Sequence, residues 1–372
     1  MPAGGLGVGL VAFHRRLALQ GPSNFWQWLL FALLLPLGLI YGILGLIRVF
    51  FYRQGLLPVY RASVPVVSVG NLAAGGTGKT PFVDSLLKVC RERGIRVAVV
   101  SRGYGGTGVT GVGVVCSGEG PLLDPAVCGD EPYLLARRNP RALILVARKR
   151  ALGVALAVER FGAELIILDD GFQHLGVARD LDIVLLDARA PVGNGWPLPA
   201  GLLREFPSAL GRGDLFILTR TAEVLPSPDL PGPRLHARHR LGAEAVALGG
   251  GERQPLTALQ GQKGVAFAGI ADPEAFFAGL RGEGLELLHT LSFADHAGYG
   301  SEELRTIGEA GLGADYLITT EKDGVKLAGQ SFAVPCYEVP LILEFVEEGG
   351  VDRVMEMLIE KGGNHGHLRR TP

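Results

Sequence analysis

The chain has 372 residues, more than one compact core ordinarily holds, which predicts two lobes. Apolar residues make up 48% and charged residues 20%, and mean hydropathy is positive, so contact with a membrane is expected. A net charge of -1 argues against nucleic acid as a partner, and Cys90, Cys116, Cys128 and Cys336, with no C-x-x-C pair, argue against zinc and read as reduced, buried thiols.

The chain opens with a basic stretch, in which Arg15, Arg16, Arg48, Arg53 and Arg61 precede the first acidic residue, Asp84. Within it, Leu29 to Ile47 form 19 residues without a charge, preceded by Phe25, Trp26 and Trp28. A helix of that length covers roughly 28 Å, close to a hydrocarbon core of about 30 Å. The run is too long for a signal peptide, and two arrangements stay open, a helix that spans the bilayer and one that lies in its interface. Pro36 is a candidate kink, and the slight arginine bias after the run sets the large C-terminal body on the cytoplasmic side.

After Arg61 short β-rich runs alternate with helical stretches, the pattern of a parallel sheet with crossover helices. Strands are expected at Val64 to Val69, Arg96 to Val100, Leu143 to Val146, Leu165 to Leu168, Ile183 to Leu186 and Leu215 to Leu218. Helices are expected at Lys79 to Arg93, Glu131 to Arg138 and Arg148 to Phe161. Proline-rich residues Leu225 to Pro233 read as a break between lobes. The second lobe has expected strands at Val265 to Ala268, Leu285 to Leu288, Tyr316 to Thr319 and Ala333 to Tyr337, with helices near Pro273 to Leu280 and Glu302 to Glu309. The expected division is therefore an anchor over 1–61, a nucleotide-binding domain over 62–224, a second α/β lobe over 225–361 and a disordered tail over 362–372.

The strongest chemical signal is the strand Val66 to Val69 running into Gly75-Gly76-Thr77-Gly78-Lys79-Thr80 and then a helix. Such a loop curls backbone N–H groups around phosphate, Lys79 reaches the β- and γ-oxygens, and Thr80 offers its hydroxyl to Mg²⁺. The strict eight-residue pattern asks for glycine at position 73, where this chain has Ala73. Asp169 and Asp170 end an apolar strand and supply carboxylates for the same ion, with the choice between them open. Gln173 or His174 could orient phosphate or substrate, and Arg102, in a glycine-rich loop after a strand, is a candidate phosphate contact. No N-K-x-D spacing for guanine is present, which favours ATP.

Taken together these segments resemble the tetraacyldisaccharide 4'-kinase family of lipid A biosynthesis, from about Asn24 to Leu358. The resemblance is carried by Gly70-Asn71-Leu72 with Gly75 to Pro81, Ser101-Arg102-Gly103-Tyr104-Gly105-Gly106, Gly129-Asp130-Glu131-Pro132 and Asp169-Asp170-Gly171-Phe172-Gln173-His174. It extends to Leu203-Arg204-Glu205, Asp295-His296 and Thr320-Glu321-Lys322-Asp323. One departure is Ala297, where a histidine often follows the Asp-His pair. The resemblance implies transfer of the γ-phosphoryl of ATP, with Mg²⁺, to the 4'-hydroxyl of a tetraacyldisaccharide 1-phosphate at the bacterial inner membrane. It further implies Asp130 and His296 as a catalytic dyad with Lys79, Glu205 as an additional metal residue, and Tyr104 and Arg204 as positioning groups. The expected fold is a P-loop NTPase-like parallel sheet flanked by helices, with a smaller α/β lobe and an N-terminal membrane helix. The lipid and the bilayer are the expected partners, without nucleic acid or an obligate protein. A membrane-tethered P-loop regulatory ATPase is the alternative. Such switches often carry an early second lysine in the loop, and Ala73, Ala74 and Gly75 stand there instead.

Overall fold

The computed structural model describes residues 13–14, 16–224, 230–295 and 297–362. Arg15, His296, residues 225–229 of the expected inter-lobe break and residues 363–372 of the expected tail lie outside the described residues.

In chain order the strands are β1 (Val66–Asn71), β2 (Val97–Ser101), β3 (Val112–Ser117), β4 (Leu143–Ala147), β5 (Leu165–Asp169), β6 (Leu181–Asp187), β7 (Leu215–Thr219), β8 (Arg234–Leu241), β9 (Glu244–Ala247), β10 (Arg253–Pro255), β11 (Lys263–Ala268), β12 (Glu286–Ser292), β13 (Tyr316–Thr320), β14 (Cys336–Val339) and β15 (Leu341–Phe345). The main helices are α1 (Phe25–Arg53), α2 (Lys79–Glu92), α3 (Asp130–Arg138), α4 (Arg150–Glu159), α5 (Pro273–Gly282), α6 (Ser301–Ala310), α7 (Glu321–Lys326) and α8 (Gly350–Gly362).

Nine strands form the first sheet in the order β15-β8-β7-β6-β1-β5-β2-β4-β3. Its interior pairs are parallel, with β3 and β15 antiparallel at the edges. Strand β1 is buried along its whole length because both faces are covered: Val67 and Val69 enter the core with Phe82, Leu86 and Leu87 of α2, while Val66 packs on the opposite face with Val154 and Ala157 of α4. The smaller sheet has the order β10-β9-β14-β13-β11-β12, parallel from β14 to β12.

Residues 234–241 and 341–345, assigned from sequence to the second lobe, are strands of the first sheet. Helix α8 follows them, burying Val354, Met355 and Leu358 in the core beside α2. The chain leaves the first sheet after β8, builds the small sheet, and returns through β15, with Gly242 N–H donating to the Pro340 carbonyl at 2.7 Å where the two crossings meet.

A chain of ionic contacts joins the sheets. Arg138 on α3 donates to Glu321 of α7, to Asp84 of α2 at 3.3 Å and to the Leu341 carbonyl at 3.1 Å. Its neighbour Arg137 lies 2.7 Å from Glu338 on β14 and 3.0 Å from Glu321. Asp84, Glu321 and Glu338 are all buried.

Helix α1 is longer than the apolar run that predicted it. Asn24 caps it by accepting from Gln27 N–H at 3.0 Å, and its 29 residues continue through Pro36 for roughly 43 Å. Among the described residues it is the one helix long and apolar enough to cross a membrane. Gln27, Phe31, Gly38, Gly42 and Val49 are buried, a stripe along nearly its whole length. A Cβ on Gly42 would overlap the Phe206 ring and one on Gly38 would sit 2.9 Å from the Pro197 carbonyl oxygen, so glycine brings the helix against the 196–206 segment. Phe31 packs edge-on to Trp196. The remaining face exposes Trp26, Trp28, Leu33, Leu37, Ile40 and Leu44, among others.

Candidate active site

The loop between β1 and α2 turns through Gly75 and Gly78, both with positive φ (118° and 88°), where an L side chain is strained. Ala73 is not among the positive-φ residues; it forms a bridge with Leu203, which explains why glycine is dispensable there. The loop is held from several sides. The Asn71 side-chain amide donates to the carbonyls of Ala73 (2.7 Å) and Gly75 (3.2 Å), Ala74 N–H donates to Leu202 O (2.7 Å), Thr219 Oγ1 donates to Thr77 O (3.0 Å), and Arg220 donates to Gly76 O (2.9 Å). Its backbone carbonyls are thus occupied by protein donors. Gly78 also has no room for a side chain, because a Cβ would overlap the His239 ring of β8.

At the end of β5, Asp169 and Asp170 are adjacent in sequence and shifted in opposite directions. Asp170 has φ 50°, a left-handed conformation that aspartate tolerates better than most residues. Its carboxylate accepts from Arg204 at 2.8 and 2.9 Å and lies 3.3 Å from Lys79 Nζ. Burial alone would raise its pKa, but Lys79 and Arg204 outweigh it and hold the group at about 2. Asp169 is fully buried, accepts from Ser101 Oγ at 3.0 Å, and is pushed up to about 6 by burial, with the charges of Glu131 and Asp170 adding to the effect. Its Oδ1 has no hydrogen-bond partner. Buried Arg150 donates to the backbone carbonyls of both aspartates, at 2.8 and 2.9 Å. A single arginine in a helix start gave no sign of that task in the sequence.

The remaining expected residues divide. Arg102, Tyr104, Gln173, His174 and Arg204 all line one cavity of about 1500 Å³ with the phosphate loop, Asp169 and Asp170. Tyr104 is largely exposed. His174 is lowered to about 4, first by burial and then by Arg150, Arg179, Arg48 and Arg102 around it. Glu205 is buried at the cavity wall, and both of its oxygens accept from Arg212, at 2.8 and 3.0 Å. The same guanidinium stacks over Phe172 at 4.7 Å, so Glu205 braces the loop that carries Asp170.

Asp130 and Glu131 open α3, where the helix dipole favours acids, and face α7 of the small-sheet unit. Lys326 lies 3.3 Å from Asp130, and Lys322 lies 3.7 Å from both Glu131 and Asp295. The Thr320-Glu321-Lys322-Asp323 segment, which carries only resemblance in the sequence, is the element that gathers the Asp130 helix and the Asp295 loop into one place. Thr320 caps this segment, its Oγ1 accepting from Asp323 N–H at 3.1 Å, and the buried Asp323 carboxylate accepts from Thr320 Oγ1 at 2.6 Å and from Gly269 N–H at 3.0 Å. His296 lies outside the described residues.

No group of three or more His, Cys, Asp or Glu among the described residues could hold a metal by itself. The donors at hand still suit Mg²⁺. That ion takes one or two protein carboxylates and completes its shell with phosphate oxygens and water, and Asp169 offers a buried oxygen with no partner.

Comparison with known proteins identifies the family. Residues 30–360 match the LpxK family model, described as tetraacyldisaccharide-1-P 4'-kinase. A tetraacyldisaccharide 4'-kinase of Syntrophotalea carbinolica is 54% identical over 351 residues, covering 94% of this chain and 98% of the relative. One from Geobacter sulfurreducens is 43% identical over 349 residues, covering 93% and 99%. Among solved structures, LpxK from Aquifex aeolicus in complex with ATP superposes with a TM-score of 0.74 at 30% identity, covering 90% of this chain and 99% of that one. The chain belongs to the tetraacyldisaccharide 4'-kinase family.

Proposed function

We infer that this protein transfers the γ-phosphoryl of ATP to the 4'-hydroxyl of tetraacyldisaccharide 1-phosphate. The observation that carries the reading is the single cavity in which Lys79, Asp169, Asp170 and Asp295 meet Tyr41, Leu44 and Arg48 of α1. A nucleotide site and a bilayer-facing helix border the same space. A lipid whose chains remain in the membrane can therefore present its sugar to the phosphate loop.

Lys79 and the loop N–H groups bind the β- and γ-phosphates, and Arg204 and Arg102 add positive charge along the cavity wall. Thr80 and Asp169 would hold Mg²⁺, which when bound neutralises charge on those phosphates. Asp170, fixed by Lys79 and Arg204, orients the lysine. Glu205 belongs with the scaffold of that loop, since Arg212 engages both its oxygens. The 4'-oxygen forms its bond to the γ-phosphorus as the bond to the β–γ bridging oxygen breaks and ADP departs. Asp130 accepts the hydroxyl proton, in a dyad with His296 as the family resemblance implies. Such general-base help is worth about 10²- to 10⁴-fold.

The buried stripe along α1 supports a helix lying in the membrane interface with its apolar face in lipid, the body on the cytoplasmic side of the bacterial inner membrane where ATP is found. The two sheets support a division into a phosphate-loop lobe and an inserted small lobe, with Lys322 and Lys326 spanning between them.

The test is transfer of ³²P from γ-labelled ATP to purified tetraacyldisaccharide 1-phosphate in detergent micelles. A labelled 4'-phosphate product is expected, cut at least tenfold by Asp130→Ala and by His296→Ala. Vigorous ATP hydrolysis with no labelled lipid would sink the kinase reading and favour a regulatory ATPase.

A further inference from the structure

A continuous row of hydrogen bonds leads from α1 to the phosphate loop. The Arg48 guanidinium donates to the Gln173 carbonyl at 2.6 Å. The Gln173 side-chain amide donates to the Asn71 carbonyl at 2.9 Å. The Asn71 amide in turn holds the carbonyls of Ala73 and Gly75 inside the loop. A branch leaves at Gln173, whose Oε1 accepts from Arg204 at 3.4 Å, and Arg204 grips the Asp170 carboxylate that faces Lys79.

The two ends of this row differ in surroundings. Asn71 is fully buried, whereas Arg48 is exposed, next to Ile47 and one turn from Leu44, which are exposed apolar residues of the same helix. In water an exposed guanidinium–carbonyl bond competes with solvent and contributes little. Where the exposed side of α1 meets the bilayer interface, water thins and the effective dielectric falls, so a charge-assisted bond of this kind strengthens. Strengthening it fixes the Gln173 backbone, and with it the donor that holds Asn71 and the loop.

We propose that Arg48 is a positioning residue through which membrane contact tightens the nucleotide site, so that α1 acts on catalysis as well as on location. The proposal rests on the kinase reading of this site. It is tested by nucleotide binding alone, without the lipid substrate, so the two can fail separately.

The experiment uses the full chain and a non-hydrolysable ATP analogue, with affinity measured in solution and on the vesicle-bound fraction with phosphatidylethanolamine–phosphatidylglycerol vesicles. The wild type is expected to bind about fivefold more tightly on vesicles, the change that ~1 kcal/mol of added hydrogen-bond strength gives. Arg48→Met should lose that gain and Arg48→Lys should retain part of it, since an ammonium still donates to the carbonyl. Gln173→Leu, which breaks the next link, should also lose the gain, and the double variant Arg48→Met with Gln173→Leu should lose no more than either alone. Wild-type affinity that vesicles leave unchanged or weaken, as when lipid phosphate draws Arg48 away, would overturn the proposal. So would a full gain in Arg48→Met or additive losses in the double variant. A wild type that binds no analogue in either state would refute the kinase reading itself.

Discussion

Asp170 at the phosphate site and Glu338 at the seam between the two sheets both lie among cations, yet they are pushed in opposite directions. Asp170 meets Lys79 and Arg204 and is held at about 2 in spite of its burial. At the seam, Asp84, Glu321 and Glu338 share Arg137 and Arg138, and Glu338 is raised to about 7 by burial, which Arg137 opposes and Glu321 reinforces. Lys79, Arg204 and Arg150 all act on Asp170, whereas at the seam three carboxylates meet three cations, Lys88, Arg137 and Arg138, and Glu338 has only Arg137 in direct contact. The first arrangement has positive charge to spare for a polyphosphate. The second satisfies itself and serves to bind one sheet to the other.

Removing a cation from the phosphate site should have the largest effect. Lys79→Ala is expected to lower phosphoryl transfer by at least about 10³-fold, as removal of a preorganised charge at a developing anion does. The check is kcat/KM with the lipid acceptor. A loss under tenfold would mean that Arg204 and Arg102 carry the phosphates instead.

At the seam the expected effect falls on stability. Arg138→Met takes from Asp84 and Glu321 the cation they share, leaving them Lys88 and Arg137, and should cost about 3 kcal/mol, the low end for a broken buried pair. Urea denaturation of the variant against wild type reads this directly. An effect near zero would mean that water already reaches the cluster.

The smallest expected effect concerns pH. Because the folded-state pKa of Glu338 lies above its ordinary value near 4.5, the folded protein binds that proton more tightly than the unfolded chain. The stability tied to it is full below about pH 4.5 and declines as pH rises through about 7, by up to ~3 kcal/mol. Glu338→Gln should flatten that part of the pH–stability curve, measured as Tm between pH 4.5 and 7.5. An unchanged slope would place the titration elsewhere.

Legibility in the sequence follows the same contrast. The phosphate loop could be read because its signal is local, an apolar strand, a Gly-Lys-Thr turn and a helix in one continuous segment. The doubly covered strands β1, β2, β4, β5, β6 and β7 were likewise visible as apolar runs. Arg137 and Arg138 look like ordinary basic residues at the end of a helix, and their partners lie 54 residues before Arg138, at Asp84, and 183 and 201 residues beyond, at Glu321 and Glu338, so nothing local marks the seam. Strand β8 reads Arg-Leu-His-Ala-Arg-His-Arg-Leu, with charges on its open side and β15 as its only outer neighbour, which hides it from a search for apolar runs. Missing β8 and β15 put the lobe boundary at 225, inside what the structure builds as one sheet. At the site, Asp130 and Asp295 could be named only by resemblance, because the lysines that connect their surroundings belong to α7, more than 20 residues beyond Asp295.

The crossing at Gly242 and Pro340 has an architectural consequence. Strands β8 and β15 run antiparallel and stay in register from Ala237 opposite Phe345 to Leu241 opposite Leu341, so the chain enters and leaves the small sheet at a single doorway. Everything between is topologically a plug-in cassette, and excising 242–340 with a two-residue turn in its place would turn β8 and β15 into a simple hairpin at the edge of the first sheet. Such a miniature would keep the phosphate loop, Asp169, Asp170 and α1, while discarding Asp295, His296 and both α7 lysines.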